Sequence, residues 1–269
     1  MTEPAQITTP FILIDVDGTL IRWQLFHRLV EGMVEYGLQP KVVIARMQEA
    51  LDQYKDRVAP FKPFVDLAVD AYQGGGRMRG IRVDDLAIVA REIIKKEGRR
   101  VHVFTRELLA SGKACGYGTA FISGSPVQVV QELALHYGVD AWLGTEHPYD
   151  HGVFTGERPT EWVTDKRAAV LHLDELLGID LSRSLAIGDS ESDIPMLEEV
   201  GFPIVFNPNE GLYKAARSKR WPVVREKKII TIDQFDETKK RMESHLSDIL
   251  PQDLMGPLSL RLHQLEIYP

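Results

Sequence analysis

The chain has 269 residues, 44% of them hydrophobic, enough for a large buried core or for a core with a smaller second domain. A formal net charge of −7 argues against a general nucleic-acid or anionic-membrane binder, and a single cysteine, Cys115, excludes both an intrachain disulfide framework and a cysteine-cluster metal site. No apolar run reaches the length of a membrane span, and Met1–Pro10 has neither the basic nor the apolar region of a secretory signal, so the expectation is a soluble cytoplasmic protein that does not engage membranes or nucleic acid.

The first informative stretch is Phe11-Ile12-Leu13-Ile14-Asp15-Val16-Asp17-Gly18-Thr19-Leu20. Four apolar residues in a row read as a strand buried on both faces, the habit of a parallel sheet. The run stops at two carboxylates one residue apart, where open α/β sheets bind ligands. Asp-x-Asp-Gly also opens calcium loops, but the EF-hand loop requires Gly at its sixth position and Glu at its twelfth. Counted from Asp15 these are Leu20 and Phe26, so the calcium loop fails.

After Leu20 the periodicity turns helical. Leu25, Leu29 and Met33, then Val42–Tyr54, Phe64–Tyr72 and Asp84–Lys96 predict an all-helical insertion over residues 21–103, with Gly74-Gly75-Gly76 as a connection inside it. No Gly-Lys-Ser/Thr phosphate loop occurs. Arg57, Arg77, Arg79 and Arg82 of this insertion could meet an anionic substrate, but they read rather as a solvated face.

Beyond it, a helix over Arg106–Gly112 leads into a second strand, Gly118–Ile122, which runs into Ser123-Gly124-Ser125-Pro126. Ser125 is the expected N-cap and Pro126 the first residue of the following helix. A third strand is expected at Ala141–Thr145, and Glu146–Glu161 is rich in turn residues, as in a β-hairpin flap. His147 and His151, with Pro148 between them, read as loop residues without metal. Lys166 opens the next helix, and a fourth strand, Ser184–Ile187, runs into Gly188-Asp189-Ser190-Glu191-Ser192-Asp193. A fifth strand, Pro203–Phe206, precedes a helix from Glu210. Strands alternating with helices at these lengths predict a doubly wound, Rossmann-like parallel sheet. The domain expectation is a core from residues 1–20 and 104–230, a helical cap over 21–103, and a C-terminal helix and tail over 231–269. Asp233–Leu250 reads as an amphipathic helix; Leu258, Leu260, Leu262 and Leu265 give the tail an apolar side, to dock on its own core or on a second subunit of a homodimer.

Asp15, Asp17, Ser123, Lys166, Asp189 and Asp193 all fall just past a strand end or at a helix start, which places them in one cluster. Four acids facing one lysine repel: two like charges ~4 Å apart cost about 4 kcal/mol at an effective dielectric of 20. An all-oxygen set of this kind suits Mg²⁺ completed by a substrate phosphate. Ser123-Gly124 offers a hydroxyl and an N–H to an anion, so cation, anion cradle and lysine together specify a phosphoryl group.

These motifs in this order, Asp15-Val-Asp-Gly-Thr, Ser123 after a strand, Lys166 at a helix start and Gly188-Asp-Ser-Glu-Ser-Asp193, resemble those of the haloacid dehalogenase superfamily. A helical insertion directly after the first motif resembles its phosphoserine-phosphatase-like branch. The resemblance implies that Asp15 is a nucleophile forming an aspartyl-phosphate and that Asp17 is the acid and base. It implies that Ser123 and Gly124 hold phosphate oxygens and that Lys166 neutralises their charge. Mg²⁺ would be held by Asp15, Asp189 and the backbone carbonyl of Asp17, with Asp193 orienting that shell. The implied activity is hydrolysis of a small phosphomonoester. A phosphotransferase or mutase on the same scaffold, or a non-catalytic phosphometabolite-binding protein, are the alternatives. Two positions depart from the phosphoserine-phosphatase pattern: Gln24 stands where that branch has a glutamate for the substrate amine, and Ser192 where it has Asn. The resemblance therefore does not extend to phosphoserine as substrate.

Overall fold

The computed structural model describes residues 8–59, 62–73, 77–160, 165–227, 230–235, 241–243 and 245–265. The expected Gly74-Gly75-Gly76 connection lies outside them.

Strand β1 (Phe11–Asp15) is buried at every position. It pairs in parallel with β2 (Gly118–Pro126) on one side and with β6 (Leu185–Gly188) on the other. β3 (Ala141–Thr145) adds in parallel outside β2, while β7 (Phe202–Phe206) and β8 (Val223–Glu226) extend the sheet beyond β6. Two antiparallel strands, β9 (Ile230–Phe235) and β10 (Arg241–Glu243), finish that edge, giving the order β10-β9-β8-β7-β6-β1-β2-β3. A separate hairpin is made by β4 (Tyr149–Asp150) and β5 (Val153–Phe154), where the flap was expected.

Side-chain alternation along the strands divides the interior into two layers, because successive residues point to opposite faces. Ile12 and Ile14, with Phe121, Ile187, Ile204 and Phe206, pack on one face. Helices α5 (Val103–Ala114), α6 (Val127–Tyr137) and α10 (Gln252–Gln264) cover it. Phe11 and Leu13, with Ala120, Ile122, Ala186 and Val205, pack on the other, under α7 (Lys166–Leu177), α8 (Ile194–Glu198) and α9 (Glu210–Lys219). A sheet covered on both sides needs apolar residues at every position, which is why β1 reads as an unbroken run rather than an alternating one.

The cap consists of α1 (Leu25–Glu35), α2 (Val42–Lys55), α3 (Lys62–Gln73) and α4 (Val83–Glu97). Its entry and exit run side by side: the Arg22 amide donates to the Arg100 carbonyl at 3.2 Å and the His102 amide to the Leu20 carbonyl at 2.8 Å. The hairpin is joined to the cap as well. Gly80 donates to the Phe154 carbonyl at 3.0 Å, Phe154 to Ile81 at 2.9 Å and Val83 to Gly152 at 3.0 Å. Cap and flap, separate insertions in the sequence, thus share a backbone hydrogen-bond ladder.

The expectation for the segment after the sheet is corrected. Asp233–Leu250 is not one helix: β9 and β10 occupy its first part and a single 3₁₀ turn, Leu246–Asp248, part of the rest. Pairing of Val223 with Asp233 and Val224 with Ile232 at the open sheet edge overrides the helical periodicity, and Asp233 is fully buried, 3.3 Å from Arg225 Nε. The tail packs on its own core. Leu254, Leu258 and Leu262, one turn apart on α10, are fully buried on the α5 side, while Leu260 and Leu265 face outward. Cys115 is half-buried, with Sγ 3.4 Å from the Asp253 carbonyl.

Candidate active site

The strands β1, β2 and β6 end at the same edge of the sheet and deliver their next residues to one place. At the end of β1 the chain turns at once: the Val16 carbonyl accepts from the Leu20 and Ile21 amides, each at 3.0 Å. Gly18 makes this turn with φ +86°, and a Cβ there would overlap the Asp189 carboxylate. Only glycine meets both demands.

Lys166, the first residue of α7, is 1% exposed. Asp165 caps that helix by accepting from the Ala168 amide at 3.0 Å, which sets the register that sends Lys166 inward. Its Nζ lies 2.6 Å from Asp15 Oδ1 and 2.5 Å from Asp193 Oδ1. The other Asp193 oxygen accepts from the amides of Asp189, at 3.0 Å, and Ser190, at 2.9 Å. Asp193 therefore spends one oxygen on the lysine and the other on the loop that carries Asp189.

Asp17 faces a different set of partners. Its Oδ1 accepts from the Leu25 amide at 2.5 Å, at the start of the first cap helix, and its Oδ2 from Ser123 Oγ at 3.1 Å and Ser125 Oγ at 3.0 Å. Ser125 is not the N-cap expected of it. Pro126 holds that position, α6 begins at Val127, and no side chain caps the helix. Because β2 continues through this segment, Ser123 and Ser125 lie two apart on one face of a strand, and both reach Asp17. That Ser-x-Ser alternation was the sequence signal for Ser125. Gly124 follows Ser123 in the same strand, and its carbonyl accepts from Thr145 Oγ1 at 2.7 Å.

Burial pushes the Asp15 carboxyl up to about 7, with repulsion from Asp193 adding to the shift and the Lys166 ammonium opposing it. Asp189 rises to about 9, through burial and then repulsion from Asp15 and Asp193. Asp17 is also raised by burial, against the lowering effect of its bonds from Leu25, Ser125 and Ser123. Burial disfavours the Lys166 ammonium, yet Asp15 and Asp193 outweigh it and hold this lysine protonated. Ionised together, the acids outnumber the one lysine, and that excess adds to burial in favouring their protonated forms.

Asp15, Asp189 and Asp193 each offer a carboxylate oxygen within 4.8 Å of the others, and Asp15 Oδ2 is buried without a hydrogen-bond partner. Since both Asp193 oxygens are engaged, Asp15 and Asp189 are the donors available to a cation. Hard carboxylate donors, surplus negative charge and an orphaned buried oxygen fit Mg²⁺.

Gln24, next to Leu25, has its Oε1 buried without a partner, as do Trp23 Nε1 and Thr19 Oγ1. Ser192 Oγ lies 2.8 Å from Ser190 Oγ. His147 is buried edge-on to Phe154, whereas His151 is exposed at the hairpin turn, so the two occupy different environments. Arg77 pairs with Asp70 at 2.7 Å and Arg82 with Asp84 at 3.4 Å, and Arg57 and Arg79 are exposed.

The sequence reading also missed Glu226, at the end of β8. Its carboxylate accepts from the Val103 amide at 3.0 Å and the Phe104 amide at 2.7 Å, lies 3.3 Å from His102 Nδ1, and pairs with Arg22. It grips both crossings between core and cap. Burial raises this carboxyl, but the hydrogen bonds from His102, Phe104 and Val103 prevail and hold it at about 2. No local motif marks it, because every partner lies over 120 residues away.

A mostly parallel, doubly wound sheet with an acidic cluster at its strand ends and a helical insertion after the first strand defines the class, a capped Rossmann-like α/β fold. The model of the haloacid dehalogenase-like hydrolase family matches residues 12–198, and the chain belongs to that family. A probable phosphatase of Mycobacterium tuberculosis (strain ATCC 25618 / H37Rv) is 34% identical over 119 residues, which are 44% of this chain and 42% of that relative. The chain thus matches less than half of that relative's length. A solved structure of a protein with unknown function from Bordetella pertussis Tohama I is 22% identical, with a TM-score of 0.62 over 80% of this chain and 98% of that one. A structure described as a phospho-aspartyl intermediate analogue of phosphoserine phosphatase is 18% identical, with a TM-score of 0.51 over 77% and 90%. Both share the fold.

Proposed function

We propose that the protein is a Mg²⁺-dependent phosphomonoester hydrolase acting on a small phosphorylated metabolite through an aspartyl-phosphate. The observation that carries this reading is the different treatment of two carboxylates two residues apart. Asp15 is held through one oxygen by Lys166 while its other oxygen has no partner; Asp17 is set apart among three hydrogen-bond donors.

Asp15 attacks phosphorus, and the bond from phosphorus to the leaving oxygen breaks while Asp17 passes a proton to that oxygen. A water then loses its proton to Asp17 and attacks the phosphoryl group, releasing phosphate and restoring both acids. Burial favours the protonated form of Asp17, as a proton donor requires. Lys166 offsets charge on the phosphoryl oxygens. Ser123 and Gly124 bind those oxygens, the Ser123 hydroxyl turning to them from Asp17. Asp15, Asp189 and the Asp17 carbonyl would hold Mg²⁺, and Asp193 orients both Lys166 and the Asp189 loop. When bound, Mg²⁺ supplies positive charge that screens the nucleophile from the phosphate.

The cap, residues 21–103 on the expected boundaries, selects the substrate by closing over this site. Gln24 presents a neutral amide where an ammonium-binding glutamate stands in the phosphoserine-phosphatase pattern, so the favoured substrates are phosphomonoesters without a free amine beside the ester. The test is phosphate release from a panel of small phosphomonoesters, with Mg²⁺ and with chelator. Mg²⁺-dependent release from several of them supports the reading. Phosphate transfer to an added alcohol without release would point to a phosphotransferase, and absence of any turnover would overturn the hydrolase.

A further inference from the structure

Asp15, Ser123 and Lys166 are 6%, 1% and 1% exposed, so a phosphoester reaches them only when something that covers them moves. The four cap helices are not equally fastened against such a movement.

α4 is tied to the core at its start, middle and end. The Val83 amide donates to the Gly152 carbonyl, and Gly80 and Ile81 bond to Phe154. The hairpin that receives these bonds is rooted at its own stem, where the Glu146 and Thr160 amides each donate to the other's carbonyl at 2.9 Å. Midway along α4, Arg91 pairs with Glu132 of α6 at 3.0 Å, and just past its end the Gly98 carbonyl accepts from Tyr137 Oη at 2.7 Å. α1 shares this platform. Its Leu25 amide is held by Asp17, and a Cβ on its Gly32 would stand 2.7 Å from Val89 Cγ1 of α4. Glu226 fastens both crossings between core and cap.

α2 and α3 are held differently, packing on one another and on α1. Gln39, 7% exposed, closes the base of the pair: its Nε2 donates to the Ala71 carbonyl at 3.2 Å and to the Arg77 carbonyl at 3.0 Å. That base lies at the far end of α1, where the Leu38 and Gln39 amides bond to the Met33 carbonyl. Gly37 makes the turn there with φ +76°, and nothing packs within 4 Å of where its Cβ would be. At the opposite end Phe64, in the first turn of α3, meets His27 edge-on, with ring centroids 4.8 Å apart. His27 is two residues from Leu25, so this end of the pair stands beside the helix terminus that bonds Asp17. Moving α4 would break its backbone and side-chain ties together, whereas lifting α2 and α3 breaks none of them.

We infer that α2 and α3 alone form the lid, pivoting at Gln39 and opening at the contact between Phe64 and His27, while α1 and α4 stay with the core. The inference rests on the proposed hydrolase for the need to admit a phosphoester, and it narrows the moving part of the cap from four helices to two.

Spin-label separations in the full chain, in a Cys115→Ser background, test it without turnover. Labels at Asp66→Cys of α3 and Leu135→Cys of α6 should show two separations; labels at Lys95→Cys of α4 and Leu135→Cys should show one. All three positions are exposed, so the labels leave the packing intact. Phe64→Ala removes the contact at the opening end and should raise the ratio of longer to shorter α3 separations about tenfold or more. The α4 separation should not change. A single α3 separation that Phe64→Ala leaves unaltered, or an α4 separation that shifts with that of α3, would overturn the inference. Joining Arg91→Cys to Glu132→Cys with a bis-maleimide fixes α4 to α6 and should leave phosphate release unchanged. Loss of release on joining, from a protein active before it, would mean that the whole cap moves. A protein inactive before joining would count against the hydrolase alone, and the label separations would still decide the lid.

Discussion

The backbone amide of Leu25 donates to Asp17 Oδ1 at 2.5 Å, so the first residue of the first cap helix is bonded directly to the second carboxylate of the core loop. A helix N-terminus carries partial positive charge and unpaired N–H groups, which favour the ionised form of Asp17 against the burial that favours its protonated form. The same bond makes the state of the cap and the state of Asp17 mutually dependent.

Asp17→Asn should therefore retain the nucleophile and lose the proton donor. Removal of a general acid typically costs 10²–10⁴-fold, roughly 3–5 kcal/mol of barrier. The loss should be large for alkyl phosphates and small for an aryl phosphate whose leaving group departs unprotonated. Asp15→Asn should abolish turnover of both and form no trappable phosphoenzyme. Rates across a leaving-group series, with quench trapping of the phosphoenzyme, check this; the same leaving-group dependence in both variants would reverse the assignment.

Ser125→Ala should lower the rate by about tenfold to a hundredfold, the value of a hydrogen bond to a charged group expressed in the barrier. Ser125 makes this bond from a strand position where it needs no other partner, so the variant should melt close to wild type. Wild-type turnover of alkyl phosphates would show that the bond at 3.0 Å plays no part in catalysis.

Asp15 and Asp189 have folded-state pKa values, about 7 and about 9, above the ordinary 3.8. Groups shifted upward take up protons on folding, so their effect is least harmful at low pH. Metal-free protein should lose stability as pH rises from about 4 through 7 and towards 9. Mg²⁺ should restore it by an amount that grows over the same range, and Asp189→Asn should flatten the profile and remove most of the metal effect. Melting temperatures with Mg²⁺ and with chelator test this, and a pH-independent Mg²⁺ effect would contradict it.

Lys166→Met should leave Asp15 and Asp193 without their shared cation. Breaking a buried pair in this way typically costs about 3–5 kcal/mol. The cost should shrink at acid pH, where the stranded carboxylates take up protons, and activity should be lost at every pH. Denaturant unfolding at two pH values measures it.

Glu226, held at about 2 against an ordinary 4.5, has the opposite sign. Its contribution is complete above about pH 4.5 and is lost as pH falls through 2; a shift of this size corresponds to about 3 kcal/mol. Glu226→Gln should be less stable than wild type at neutral pH and converge with it in acid. Amide exchange should rise selectively around residues 22 and 102–104, the two crossings it holds. Uniform exchange across the chain would make Glu226 a general stabiliser instead of a clamp on the cap.

The sequence by itself determined the succession of the central strands along the chain, where each begins to within a residue, and the presence of a helical insertion. It also pointed to Asp15, Asp17, Lys166, Asp189 and Asp193, because each sits where a local pattern changes. An apolar run stops at a carboxylate, or a helix starts at a charged residue. Local periodicity carries that information without reference to distant partners. Only the tertiary structure decided that Asp193 is spent on Lys166 and a loop, that Ser125 serves Asp17 rather than α6, and that Glu226 closes both cap crossings. It also decided that Ile230–Phe235 is a strand, since an open sheet edge supplied hydrogen-bond partners that helical periodicity could not foresee. These are contacts between residues far apart in the chain, chosen by which groups the packed sheet leaves unsatisfied. No spacing along the sequence records that choice.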